Sequence, residues 1–502
     1  MAKISKTLLR YRFEIVILLF ASFLFFGLRL YNLKFLPIFV DEAIYVRWAQ
    51  QGLYDPSLRL ISLVDGKQPL YIWLVSILTN YIYNPLIAGR FVSIIAGFAT
   101  LIGLFLLSKE LFKSRWVGII SVLLYVLYPF ALLSNRMAIY ESLIGMFTIW
   151  SLYVAILLVR YVNVGMSLIL GLFLGGGLLT KSSGFINIYL LPTVLLLFNF
   201  KEKNFQKLFK WFFLALLAII LSLLYYSVLL LSNKYYMISE KDAIFTYHLR
   251  ELIPYHAFDK WVGNILQLIH WTFIYLTYPA SLLLFSYVGK SYRKEKLLLL
   301  LWFIIPIIGI ALFNRILNTR YIFPMTLLLL PIIAINLKEL YFFMKNKLGY
   351  SLIVALSIGF LAFFDYKVLT DMSHAPIPQK DIQQYVNSFS SGQGLKEIIA
   401  YLQEQAKKEQ IMIASEGIYG SLPTTVVEIY FVHNTQVERY AFDPRPKRLP
   451  QELYRKAQIK PVYIIFNQTQ SIYNWPLELV MKFKRGSGDL NLSLYKVHSR
   501  ID

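Results

Sequence analysis

The sequence predicts a mainly α-helical protein, in which a polytopic bundle of about 11 transmembrane helices precedes a small extracytoplasmic α/β domain. Of the 502 residues, 57% are hydrophobic and only 16% are charged, which is too apolar for a soluble chain of this length. Apolar runs long enough to cross a bilayer recur as far as residue 365. Beyond residue 366, charged residues of both signs return at the density of a soluble domain.

The predicted transmembrane domain covers residues 1–365, with a first outer loop at 32–85. The first apolar run follows basic residues, as in a signal peptide, but it is too long and lacks a small-residue cleavage site. We therefore expect a retained first span. The predicted spans are residues 13–31, 86–108, 116–133, 141–159, 164–180, 183–200, 211–231, 265–289, 297–313, 321–337 and 348–365.

One further apolar segment, QPLYIWLVSILTNYIY at 68–83, is short and lies between Pro69 and Pro85. If it lies on the outer surface or is half inserted, the basic clusters SKELFKSR, KEKNFQKLFK, GKSYRKEK and KELYFFMKNK all face the cytoplasm. The excess of Lys and Arg in cytoplasmic loops favours this arrangement. We expect a plasma (inner) membrane protein with a cytoplasmic N-terminus and an extracytoplasmic C-terminal domain.

The C-terminal segment reads as a linker at 366–380 followed by a soluble α/β domain at 381–502. The stretch SHAPIPQK has the proline content of a linker. GLKEIIAYLQEQAKK places apolar residues at helical spacing, and IMIA and VYIIF are typical of short buried strands.

Charge and cysteine content exclude several classes of function. The formal net charge of +22 could indicate nucleic acid binding, but the cations lie in short clusters between apolar runs, so we expect no nucleic acid partner. The chain has no cysteine, which excludes disulfides, thiolate metal sites and a cysteine nucleophile.

On the predicted topology, carboxylates and cations meet on the outer face. Any one of these residues alone could be a membrane-interface anchor. Carboxylates and cations that cluster on one face indicate a site that takes a proton from a nucleophile and stabilises an anionic leaving group. These residues are Asp41, Glu42, Asp65, Lys67, Arg136, Glu141, Lys181, His248, Arg250, His256, Arg315, Arg320 and Tyr321.

The order of these motifs resembles the GT-C glycosyltransferases, in the branch of the protein O-mannosyltransferases and the aminoarabinose transferase that modifies lipid A. The resemblance covers roughly residues 10–340 and includes Glu141 where Asp is common, and Gly66 before Lys67 where some relatives have an acid. The matching stretches are VDEAIYVRWA, GKQPLYIWLVSIL, AGRFVSIIAG, SNRMAIYES, GGGLLTKSSG and RYIFPMTLLLLP.

The resemblance implies transfer of a hexosyl or pentosyl group from a polyprenyl-phosphate donor to an outer-face acceptor, with inversion at the anomeric carbon. Asp41 is the predicted general base, since an acceptor hydroxyl is a poor nucleophile until a carboxylate takes its proton. Glu42 would position Asp41 or the acceptor. The alternative is that Asp41 only caps the helix that follows it.

The leaving phosphate needs cations rather than a proton. Lys181 is the leading candidate because it ends a glycine-rich helix that a lipid or a neighbouring helix could approach closely; snorkelling is its alternative explanation. Tyr321 would donate a hydrogen bond to the phosphate or belong to the aromatic belt. The predicted phosphate-binding residues are Lys67, Arg136, Lys181, Arg320 and Tyr321, with Glu141 as a second acid.

Metal dependence, sugar and acceptor stay open. Asp41 and Glu141 could share a divalent cation, whereas the spacing of His248 and His256 fits no standard zinc pattern. The acceptor could be protein, lipid or glycan. A transporter or lipid flippase is the alternative function, although polar groups near mid-span and paired repeats, which many transporters have, are lacking here. A non-catalytic assembly or sensor protein would leave the polar cluster unexplained.

Overall fold

The computed structural model describes residues 12–200, 204–254, 257–285, 291–417, 420–442, 446–467 and 475–498. The chain forms two compact units. We call them the helical unit, which comprises Met1–Tyr31, Leu60–Leu74 and Arg90–Val368, and the mixed unit, which comprises Asn32–Arg59, Val75–Gly89 and Leu369–Asp502.

Helices dominate the described part of the chain, in agreement with the predicted class. Their bounds up to residue 370 are Arg12–Leu30, Val40–Tyr54, Leu70–Thr79, Pro85–Phe112, Arg115–Val126, Pro129–Asn135, Glu141–Tyr161, Val164–Thr180, Phe185–Tyr189, Phe205–Tyr226, Met237–Phe245, Ala257–Leu276, Tyr278–Leu282, Arg293–Phe313, Phe323–Thr326, Leu329–Phe343 and Lys347–Thr370. Further helices are Gln379–Ile382, Leu395–Lys408, Thr424–Phe431 and Gln451–Ala457.

The predicted number of spans, eleven, is too high for these helices. Within the described residues, six helices are long and apolar enough to cross a membrane, or up to eight if each of two bent pairs is one span. Those pairs are Arg115–Val126 with Pro129–Asn135, bent by 62°, and Thr319–Thr326 with Leu329–Phe343, bent by 47°. This is a multi-pass membrane protein with fewer long spans than expected.

The overcount has a physical reason, because an apolar run does not show whether a helix is continuous. The predicted span 183–200 is broken into Ser182–Gly184, Phe185–Tyr189 and Leu191–Leu197, with Pro192 near the start of the last piece. The predicted span 164–180 is continuous but only 17 residues long. Predicted span 265–289 falls on a helix that ends at Leu276, and its last residues, 286–289, lie outside the described ranges.

The doubtful apolar segment forms the ten-residue helix Leu70–Thr79. At 1.5 Å per residue such a helix is about 15 Å long, half of what a bilayer requires. Its length fits the predicted surface or half-inserted helix.

The glycine-rich helix Val164–Thr180 packs closely on two neighbouring helices of the helical unit, Glu141–Tyr161 and Phe205–Tyr226. A Cβ added at Gly175 would lie 2.7 Å from the Tyr225 ring. A Cβ at Gly176 would overlap the Phe147 ring. The missing side chains therefore serve helix packing here.

The mixed unit contains a five-stranded sheet in the order β2-β1-β3-β5-β4, which confirms the predicted α/β domain. β1 pairs in parallel with β2 and β3, whereas β5 runs antiparallel to β3 and β4. The strands are β1 Ile411–Glu416, β2 Val437–Phe442, β3 Val462–Phe466, β4 Leu477–Lys484 and β5 Asn491–Val497.

Part of the first outer loop packs in the same unit as this sheet. Gly392 N donates to Ile38 O at 2.7 Å, and Val40 N donates to Ser390 O at 3.0 Å. Farther along the loop, Arg47 Nε lies 3.1 Å from Glu428 Oε2. No sequence motif indicated this grouping. The predicted boundaries of the linker and the outer domain stay a prediction.

Candidate active site

A buried ion pair joins the start of one helix to the end of another in the helical unit. Glu141 opens the helix Glu141–Tyr161 and is only 2% exposed. Lys181 follows the helix Val164–Thr180, and its Nζ donates a 2.9 Å hydrogen bond to Glu141 Oε1. Because a buried carboxylate without a cation is unstable, the pair holds both helix ends at one point.

Arg320 and Tyr321 add a second cation and an aromatic ring to this point. Both belong to the 3₁₀ turn Thr319–Ile322. Arg320 Nε lies 4.0 Å from Glu141 Oε1, and Lys181 Nζ lies 5.1 Å from the centroid of the Tyr321 ring. The latter distance is that of a cation–π contact. Asn318 Nδ2 donates to the Tyr321 hydroxyl at 3.3 Å.

Lys67 enters the same region from a tight turn. Gly66 has φ +64°, and a Cβ there would lie 2.5 Å from Lys241 Cβ. Asp65 forms an ion pair with Lys241, which belongs to the helix Met237–Phe245. Gly66 is thus the residue that lets this turn pack on the helix Met237–Phe245, because it has no side chain.

Three functional candidates in this region escaped the sequence analysis: Gln68, Ser182 and Asp242. Gln68 Nε2 donates to Ser182 Oγ at 2.9 Å, and the Ser182 hydroxyl donates to the Asp242 carboxylate. Burial raises the pKa of the Asp242 carboxyl above its usual range, and this hydrogen bond together with Lys181 and Lys67 opposes the rise. In the sequence, the only sign of Gln68 and Ser182 as candidates was their position next to Lys67 and Lys181, in the stretches KQPL and TKSS.

The whole group, which we call the Glu141 cluster, contains three cationic side chains and two carboxylates. Its formal charge is therefore positive, and two of its cations, Lys181 and Arg320, converge on the buried Glu141 carboxylate. Its members are Lys67, Gln68, Glu141, Lys181, Ser182, Asp242, Arg320 and Tyr321.

Asp41 and Glu42 lie in the mixed unit, at the start of the helix Val40–Tyr54. The alternative that Asp41 caps this helix is wrong, since Phe39 is the N-cap residue. Glu42 is buried instead, and its Oε2 accepts a 2.9 Å hydrogen bond from Phe39 N. Glu42 thereby stabilises the helix start, and Asp41, in the first turn and half buried, is held beside it.

Residues 66–226 match the family model of dolichyl-phosphate-mannose-protein mannosyltransferases. The fold matches the crystal structure of ArnT from Cupriavidus metallidurans bound to undecaprenyl phosphate. That match has a TM-score of 0.53 and 11% identity and covers 97% of this chain and 98% of that chain. The chain therefore has the fold of this ArnT, and about a third of its length resembles the mannosyltransferase family.

Two further solved structures resemble this chain. The apo structure of the same ArnT gives the same TM-score of 0.53. The archaeal oligosaccharyltransferase AglB from Archaeoglobus fulgidus aligns with a TM-score of 0.46 and 12% identity, over 90% of this chain and 69% of that chain. No curated protein sequence matches. The family match supports a membrane glycosyltransferase.

Arg136 has a structural role in the helical unit. Its Nη1 donates to the carbonyl oxygens of Leu28, Arg29 and Tyr31, at 3.0, 3.0 and 2.7 Å. These carbonyls end the first span, where a helix leaves its last acceptors without intrahelical donors. A phosphate-binding role for Arg136 stays a prediction.

Within the described residues, no group of three or more His, Asp or Glu side chains is arranged to hold a metal ion. His248 is exposed, and His256 lies outside the described residues. Glu141 belongs to the helical unit and Asp41 to the mixed unit, and a cation shared by the two stays a prediction.

Proposed function

We propose that this protein is an integral-membrane glycosyltransferase of the GT-C type that moves a sugar from a polyprenyl-phosphate donor to an acceptor on the outer face of the membrane, with inversion. The observation that carries the proposal is the Glu141 cluster. A buried carboxylate holds Lys181 at 2.9 Å and Arg320 at 4.0 Å, which leaves an excess of positive charge in the helical unit. Cations fixed in this way bind an anion without reorganising, as stabilisation of a leaving phosphate requires.

The comparisons support the class of donor. The ArnT structure with the matching fold contains undecaprenyl phosphate, and the matching family is described by a dolichyl-phosphate donor. Both are polyprenyl phosphates that reside in a bilayer. The Glu141 cluster fits this class, since it combines ammonium and guanidinium groups with the Tyr321 hydroxyl.

In the proposed reaction, an acceptor oxygen attacks the anomeric carbon from the side opposite the phosphate. The new bond joins that oxygen to the anomeric carbon, while the bond between the anomeric carbon and the phosphate oxygen breaks. Asp41 accepts the acceptor's proton, and the polyprenyl phosphate leaves with the electron pair. Lys67, Lys181 and Arg320 stabilise its charge, and Tyr321 donates a hydrogen bond. Glu42 keeps Asp41 in place by fixing the start of its helix.

The deciding variant is Asp41→Asn, which keeps the shape of the side chain but cannot accept the proton. We expect transfer from a polyprenyl-phosphate sugar to fall by about 10²- to 10⁴-fold, with normal expression. The assay is transfer by purified protein to an envelope extract that contains candidate acceptors, followed by mass spectrometry of the products and of co-purifying lipids.

Asp55→Asn is the matched control. Asp55 is an exposed acid of the same unit, and it accepts hydrogen bonds from Ser57 N and Ser57 Oγ at 2.9 and 2.7 Å. The Asp55→Asn variant should retain full transfer activity. Near-normal turnover by Asp41→Asn would remove Asp41 from the mechanism, and lipid flipping in liposomes without any sugar transfer would favour the transporter alternative.

A further inference from the structure

The mixed unit contains a cavity of about 490 Å³ that no part of the proposed mechanism uses. One wall is formed by residues 32–38 of the first outer loop, and another by residues 392–403 around the helix Leu395–Lys408. Asn84 and Tyr430 contribute to the remaining sides. The volume lies in the range of about 300 to 1,000 Å³ that is typical of small-molecule sites.

Backbone pairing connects the two walls. Gly392 N donates to Ile38 O at 2.7 Å, and a Cβ on Gly392 would lie only 2.6 Å from that oxygen. Gly394, with φ +87°, then turns the chain into the helix that forms the second wall. The cavity is thus a consequence of fixed backbone contacts.

The lining is amphipathic, and within the described part of the chain its charged side chains are not paired with one another or with other residues. Within the described ranges, Lys34, Lys396 and Glu397 form no ion pair, and Gln393 and Gln403 form no side-chain hydrogen bond. Leu395, Ile399 and Ala400 provide apolar surface between these polar groups. Amide and charged groups beside aliphatic surface match a ligand that has many hydroxyls and also exposes apolar C–H faces.

We infer that this cavity binds a saccharide portion of the acceptor. This inference rests on the proposed function and names the acceptor class. Ile38 lines the cavity and precedes Asp41 by three residues, so their Cα atoms are separated by at most about 11 Å. A saccharide held there has its hydroxyls within reach of the segment that carries the proposed base. Two ammonium groups against one carboxylate favour an anionic saccharide over a neutral one.

The test uses the purified full-length protein and a panel of fluorescently labelled trisaccharides that are neutral, carry one carboxylate or phosphate, or carry one amine. Binding is measured by fluorescence anisotropy. Ala400→Trp fills the cavity, and Lys396→Glu reverses one of its charges. Glu404→Trp and Lys408→Glu are the controls, because both are exposed residues of the same helix that do not line the cavity.

We expect the parent protein to bind at least one panel member, and the anionic one most tightly. Ala400→Trp should weaken this binding by about tenfold or more, which corresponds to about 1.4 kcal/mol. Lys396→Glu should weaken binding of the anionic trisaccharide more than that of the neutral one. The two control variants should bind as the parent does.

Binding of no trisaccharide by the parent would overturn the inference, as would equal binding by Ala400→Trp and Glu404→Trp. Donor hydrolysis, measured separately without acceptor, tests the proposed function. A parent that binds saccharide through the cavity but never consumes donor would overturn the function and keep the saccharide site. Donor hydrolysis without any saccharide binding would overturn the saccharide site and leave the proposed function standing.

Discussion

The residue on which the helical unit's polar site depends is Glu141, and its length explains its contacts. From the first position of its helix, it reaches Lys181 Nζ at 2.9 Å and lies 4.0 Å from Arg320 Nε. Asp at this position would have a side chain shorter by one methylene group. In this chain the longer side chain brings the acid directly to the cation that follows the glycine-rich helix.

A double-mutant cycle separates the stability of this pair from its binding role. Lys181→Met leaves the buried Glu141 carboxylate without its hydrogen-bond donor, and we expect it to lower the thermal unfolding temperature and abolish donor binding. Breaking a buried pair costs about 3 to 5 kcal/mol, and the partial exposure of Lys181, 28%, reduces that figure here. Glu141→Gln with Lys181→Met should recover most of the stability.

Binding of polyprenyl phosphate distinguishes the two roles in that cycle. The double variant should be nearly as stable as the parent but still unable to bind the lipid phosphate. Normal lipid-phosphate binding by a stable double variant would show that Lys181 serves only to neutralise Glu141.

At the scale of elements, the glycine-rich helix positions the site, because Lys181 follows directly on its last turn. The turn after Lys181 folds back on the helix, so that a Cβ at Gly184 would lie 2.5 Å from the carbonyl carbon and oxygen of Gly177. Such a distance to backbone atoms cannot be relieved by a side-chain rotation.

We therefore expect Gly184→Ala to destabilise the protein and to displace Lys181, with a lower unfolding temperature and weaker donor binding. Gly309→Ala is the control, since a Cβ at that helical position meets nothing within 4 Å. It should be neutral or stabilising by up to about 1 kcal/mol. Equal unfolding temperatures for the two variants would mean that the turn tolerates a side chain.

Regular patterns in the sequence predicted those elements that are uniformly buried or clearly amphipathic. The helix Leu395–Lys408 and the strand β3, Val462–Phe466, occur where spacing and apolar runs placed them. Strands β2 and β4 were missed because they are the edges of the sheet, where VERYAF and LELVMKFK alternate with charged residues. Likewise, the break at Thr277, with φ +63°, lies inside the predicted span 265–289, and Pro279 two residues later is its only strong sequence signal.

The sequence predicted which types of residue the candidate site contains, but not which of them contact one another. Glu141, Lys181 and Arg320 were selected for their common side of the membrane, and the structure brings them together. Asp242 was not selected because it lies in an ordinary polar helix, and only the fold brings it to Ser182. The structural use of Arg136 was equally hidden, since its acceptors are backbone carbonyls far away in the chain.

At the scale of the whole molecule, the span count bears directly on the predicted orientation. Six or eight crossings place both termini on the same side of the membrane, whereas the predicted orientation requires an odd number. The helix Ala257–Leu276 resolves this conflict if it also crosses. It has 20 residues, about 30 Å in length, but carries Asp259 and Lys260 in its first turn.

Because the chain lacks cysteine, single introduced cysteines can report this topology without background. Lys113→Cys and Lys345→Cys precede and follow Ala257–Leu276, and Glu404→Cys lies in the mixed unit. We expect a membrane-impermeant maleimide to label only Glu404→Cys in intact cells, and all three after permeabilisation. All three positions are exposed, so failure to react reflects the side of the membrane. If Lys345→Cys is labelled in intact cells whereas Lys113→Cys and Glu404→Cys are not, Ala257–Leu276 does not cross, and the outer-face assignment of the C-terminal domain is wrong.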